Sequence, residues 1–196
     1  MQRGKADFGL LLVGMLWGLG FVFVKIGLNE GITPFYLLTI RFLVAFIILF
    51  VIFRSRLKNI EKLDLKNGFI IATFLFLGFA FQISGAALTT ASNNAFFTAI
   101  NVIIVPYIFW AIHKHVPNIF SFIAAGLCIL GVGILSFDSK MQLNQLNEGD
   151  ILTIISALFF AFHIAFTGFL STKSEPIKLN VIQMGFASVY SVIGLM

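Results

Sequence analysis

The chain has 196 residues, of which 59% are hydrophobic and 11% charged, against about 25% charged in ordinary soluble domains. Too few charges remain to build a water-facing surface, so lipid must be the solvent. The net charge of +5 and pI of about 9.6 would suggest nucleic acid in a soluble protein, but the placement of the basic residues points to a membrane and excludes nucleic acid as a partner. A single cysteine, Cys128 in an apolar stretch, excludes a disulfide framework, a Cys-rich zinc site and a CxxC redox centre.

The amino terminus places Arg3 and Lys5 before an apolar run of about 20 residues, long enough to span a bilayer and so a retained helix, not a signal peptide. Comparable stretches near 8–28, 34–53, 69–88, 91–112, 119–137, 151–170 and 179–196 predict seven spans. Thr33 and Pro34 read as a cap and first-turn proline, and Pro117 and Pro176 fall in predicted loops.

Alternate loops differ sharply in basic content. Arg3, Lys5, Arg54, Arg56, Lys58, Lys62, Lys66, Lys114, Lys173 and Lys178 fall on one predicted side and only Lys140 on the other. The expectation is a multi-pass protein of the cell membrane with a cytoplasmic amino terminus.

Sliding the chain by 143 residues sets Asp7 against Asp150, Gly14 against Ala157, Trp17 against Phe160, Gly18 against Ala161 and Phe23 against Phe166. A five-helix unit is odd, so its second copy enters the membrane from the opposite side. Residues 1–149 then form one repeat and 150–196 the opening of another. The expected fold class is an all-α polytopic membrane bundle with inverted five-helix repeats, the second incomplete.

Four passages carry a family resemblance: MLWGLGFVFVKIGL, PFYLLTIRFLVAFIILF, LTTASNNAFFTAINVIIVPYIFWAIHKHVP, and GLCILGVGILSFD followed by GDILTIISALFFAF. In order and spacing the chain resembles the EamA-type branch of the drug/metabolite transporter superfamily. The resemblance implies ten helices in two inverted repeats and movement of amino acids or other small metabolites. The chain departs from that pattern by about three missing helices, and in carrying His113-Lys114-His115 where many relatives have an acidic-basic pair.

Side chains able to do chemistry at membrane depth are few. Arg41 lies roughly 10 Å below the outer boundary; it reads either as a docking cation for a carboxylate or phosphate, or as a snorkelling arginine. Lys25, near a helix end with Glu30 nearby, has the same two readings. His163 either binds a proton or solute or packs by hydrogen bonding. Asn94, Asn101 and Gln82 either line a cavity near Pro106 or glue helices beside the Ala91, Ala95 and Ala99 stripe. Trp17 either walls a cavity or packs beside Gly14 and Gly18. No Asp or Glu lies well inside a predicted span, so no carboxylate proton relay is visible.

No cofactor is expected, since a bis-histidine haem would need a second histidine at depth. An enzyme is disfavoured because HExxH, paired Asp and deep Ser-His arrangements are missing. The expected function is secondary transport of amino acids or related anionic and zwitterionic solutes; the alternative is a non-transporting truncated copy or membrane scaffold. Expected partners are membrane lipid, a small-molecule solute, and either a second copy or further C-terminal helices to complete the second repeat.

Overall fold

The structure, a computed structural model, describes residues 2–114, 118–136 and 146–196. His115, Pro117 and Lys140, and the side chains of Cys128 and His113, lie outside the described set. Among the described residues there are eight α-helices and no strand: α1 Gln2–Asn29, α2 Pro34–Phe53, α3 Lys62–Leu88, α4 Ala91–Thr98, α5 Asn101–His113, α6 Ile119–Ser136, α7 Glu148–Leu170 and α8 Pro176–Ile193. A 3₁₀ turn over Arg54–Leu57 follows α2. The chain is an all-α multi-pass membrane protein. Five described segments are long and apolar enough to cross a bilayer: Asp7–Asn29, Pro34–Leu57, Lys62–Leu88, Ala91–Ile112 and Glu148–Leu170. The other two expected spans correspond to the 18-residue helices α6 and α8.

Helix boundaries follow local chemistry that hydropathy does not register. Reciprocal capping boxes, Glu61 with Asp64 and Asn147 with Asp150, start α3 and α7. That places the α3 start seven residues before the expected 69 and the α7 start three before 151. Pro176, expected in a loop, is the first residue of α8, where its missing N–H costs nothing. Thr33 occupies the N-cap of α2 without a side-chain capping bond. Gly31, at φ +86, closes α1 in a Schellman turn, with Ile32 N–H donating to Gly27 O at 3.1 Å and Gly31 N–H to Leu28 O at 3.1 Å.

The expected single helix over 91–112 is two helices. Between α4 and α5 the ladder tightens to i→i−3 bonds, Ile100 N–H to Phe97 O at 3.2 Å and Val102 N–H to Ala99 O at 3.0 Å. Pro106 inside α5 removes a further N–H.

α3 and α7 form an antiparallel seam at the centre. At one end, Asn67 Nδ2 donates to Ser174 Oγ at 3.0 Å, Lys178 stands 4.0 Å from Asp64 and Arg56 stands 3.5 Å from Glu175. At the other, Thr89 Oγ1 donates to Asp150 Oδ1 at 2.6 Å. Asp150 is therefore buried. Leu38, Phe42, Leu75, Ile83, Phe160 and Ala187 form the main core, while Phe74 stacks on Phe162 and Phe166 across the seam.

Candidate functional site

A cavity of about 350 Å³ opens between α1, α2, α3, α4, α5, α7 and α8. Trp17, Arg41, Gln82, Asn94, Asn101 and His163 all line it, so six of the seven candidate residues share one cavity. Helical periodicity explains the convergence from α3 and α4. Gln82 follows Leu75 and Phe79 on one face of α3, and Asn94, Thr98 and Asn101 are spaced by four and three residues along the broken span.

Arg41 is held by an aromatic surface. Its guanidinium carbon lies 4.2 Å from the Phe79 ring centroid, close enough for cation–π attraction. Phe79 is wedged edge-on against Phe42 at 5.5 Å and Phe160 at 4.9 Å. Among the described residues no carboxylate pairs with Arg41, which is exposed and lines the cavity. The break between α4 and α5 supplies no competing cradle of free amides, because the N–H groups of Val102, Ile103 and Ile104 are spent on the carbonyls of Ala99 and Ile100.

The cavity also carries a polar belt. Gln82 Nε2 donates to Thr98 Oγ1 at 3.0 Å, and Thr98 Oγ1 donates to Asn94 O at 2.7 Å. Asn94 Nδ2 donates to Gln82 O at 2.9 Å and to Thr153 Oγ1 at 2.8 Å. Both amide hydrogens of Asn94 are thus committed to joining α3, α4 and α7, which makes it interhelical glue at the edge of the cavity. The Asn94→Leu protein is expected to be destabilised by about 1–3 kcal/mol, since Thr153 and the Gln82 carbonyl lose a donor. Thermal unfolding in detergent measures the loss, and a double-mutant cycle with Thr153→Val should return a coupling of about 0.6 kcal/mol.

On α7, His163 Nε2 lies 2.9 Å from Gln183 Oε1 of α8. Gln183, Thr98 and Phe79 line the cavity and were not anticipated from sequence. Thr98 lies one turn after Asn94 on a face already marked polar. Gln183 sits well inside a helix that begins at Pro176, but only near the end of one expected to begin at 179. Among the described residues no group of three His, Cys, Asp or Glu side chains is placed to hold a metal.

Lys25 is the candidate that the structure places elsewhere. Its Nζ donates to Ala86 O at 2.8 Å and Ala87 O at 3.4 Å, two carbonyls in the last turn of α3, where a cation complements the negative end of the helix dipole. Glu30, its expected loose partner, forms no ion pair with it among the described residues. Lys25→Met should leave solute flux within about twofold of wild type and lower stability by about 0.3–1 kcal/mol. Flux and melting measurements on the same preparation check both.

Comparison with known proteins agrees with this architecture. Residues 4–137 match the EamA-like transporter family. Two relatives in Archaeoglobus fulgidus, each described as an uncharacterized transporter, are 36% identical over 91% of this chain and 54% of the relative, and 25% identical over 96% and 66%. The chain therefore spans about half to two thirds of the length of these relatives. No solved structure matches. With its apolar spans and the match over residues 4–137, the chain belongs to the EamA-like transporter family.

Proposed function

We propose that the protein is a secondary transporter of small anionic or zwitterionic metabolites, amino acids and related solutes, with the cavity as its binding site. The observation that carries this reading is Arg41: a permanent cation on the cavity wall, stacked on Phe79, with no described carboxylate to neutralise it. Holding such a charge within the span of the membrane is costly, and a solute carboxylate offsets that cost when bound. The aromatic wall of Trp17, Phe21, Phe79 and Phe160 suits the apolar part of the same solute.

Alternating access between inverted repeats is the mechanism. Two helix pairs support it. The carboxy-terminal part of α1 meets the end of α3, where α7 begins, so α1 and α7 run in opposite directions. Phe46 and Phe35 of α2 lie against Gly185 and Gly194 of α8 and its end, so these two also run oppositely. Further helices, beyond this chain or in a second copy, complete the second repeat. The basic residues around Arg54–Lys66 and Lys173–Lys178 mark the cytoplasmic end, and the amino terminus lies on that side.

The test is flux into proteoliposomes with a panel of amino acids, dicarboxylates and lipophilic cations. Anionic or zwitterionic solutes should be carried and cations refused. A preference for lipophilic cations that Arg41→Ala leaves untouched would remove the reading.

A further inference from the structure

His163 is a titratable side chain of the cavity that anion docking on Arg41 does not use. Gln183 Nε2 donates to Asn180 Oδ1 at 2.7 Å, which turns Gln183 Oε1 toward the imidazole, 2.9 Å from Nε2. An amide oxygen only accepts, so Nε2 carries the ring hydrogen. Nδ1 of the neutral ring is then a bare acceptor, and no described residue donates to it. The side chain lines the same cavity as Arg41.

We propose that His163 binds a proton at Nδ1 together with the solute, so that the transporter carries solute and proton in the same direction. This rests on the transport reading above and adds the coupling ion to it. The proton comes from water at the open face, forms the N–H bond at Nδ1, and returns to water when the cavity opens on the other side. Gln183 keeps hold of Nε2–H throughout and acts as a positioning residue.

The charges around His163 determine the sign of this coupling. Of the elements packed on α7, α4 has no titratable side chain. α3 contributes Lys62, Asp64 and Lys66 at the basic end, where Asp64 faces Lys178 of α8. α5 has Tyr107, with His113 at its end, and α8 has Tyr190, which faces a separate apolar groove. On α7 itself, Glu148 and Asp150 stand at the opposite terminus. Arg41 is thus the one charged group among the described residues in the cavity wall with His163. Two cations lining one cavity repel when it is empty, so a second charge is disfavoured there. A carboxylate between them reverses the preference, and by reciprocity a proton on His163 tightens the carboxylate. Empty, the site gives up its proton; loaded with an anion, it keeps it.

The experiment uses the full chain in proteoliposomes with membrane potential held at zero, and L-glutamate, L-leucine and succinate as probes. An acid exterior should raise accumulation by about tenfold for each pH unit of gradient, the value for one proton per solute, and an internal pH dye should acidify on solute addition. His163→Gln should lose both effects and, because His163 lines the binding cavity, carry solute down its gradient more slowly than wild type. Gln183→Glu sets a carboxylate beside the ring and should move the pH profile of flux upward by about one unit or more; it also carries the test if His163→Gln does not fold. Solute flux indifferent to the proton gradient, or an unmoved Gln183→Glu profile, overturns proton coupling and leaves the transporter. No flux of any probe by the wild-type protein overturns both.

Discussion

Arg41→Ala should lower solute flux by about tenfold to a hundredfold, since a charge-assisted hydrogen bond contributes about 1.5–3 kcal/mol. The loss should appear mainly as a raised half-saturation concentration, because on the proposed reading Arg41 docks the solute and does not join the helix seams. Stability should change little. Phe79, on which the guanidinium stacks, remains wedged between Phe42 and Phe160 without it. Arg41→Lys keeps the charge but not the planar fork, and an ammonium stacks less well on an aromatic face. An intermediate affinity is therefore expected. Flux and binding measured on Arg41→Ala, Arg41→Lys and wild type in one membrane preparation separate the roles. Equal affinity in all three would make Arg41 a structural residue and empty the anion reading of its support.

What was legible in the sequence follows from what the membrane makes rare. Trp17, Arg41, Gln82, Asn94, Asn101 and His163 stood out because polar and large side chains inside apolar runs are few, and the same rarity places them around one cavity. Lys25 shared the signal for another reason: the carbonyls at the end of a neighbouring helix need a donor as much as a solute does. Sequence spacing does not reveal which neighbour is in reach. Gln183 escaped notice because α8 starts earlier than its hydropathy suggests, with Pro176 as its first residue. The split of the fourth span was equally hidden, since Ala99 and Ile100 carry no turn signature.

The largest loss of stability should come from Gly149→Val, at a position that no repeating motif marks. A Cβ at Gly149 would lie 2.6 Å from Gly85 O and 2.8 Å from Leu88 Cβ, and the Gly85 oxygen belongs to backbone that cannot swing aside. The helices must part instead. Separation there strains Thr89 to Asp150 at 2.6 Å and Asn94 to Thr153 at 2.8 Å, the bonds that fix α7 to α3 and α4. Overpacking alone costs about 1–3 kcal/mol, and losing these bonds brings the total to roughly 3–5 kcal/mol. A fall in melting temperature of about 6–20 °C follows for a chain of this size. Gly14, by contrast, belongs to the GxxxG pair with Gly18 that the sequence advertises as a packing face, yet among the described residues neither has a packing neighbour beyond its own helix's backbone within 4 Å of its would-be Cβ. Gly14→Val should therefore melt with wild type. Thermal unfolding of the two variants in the same detergent decides between the seams. If Gly14→Val is the destabilised one, then α1 packs tightly against a surface that the described residues do not include, and the α3–α7 seam is not the structural centre.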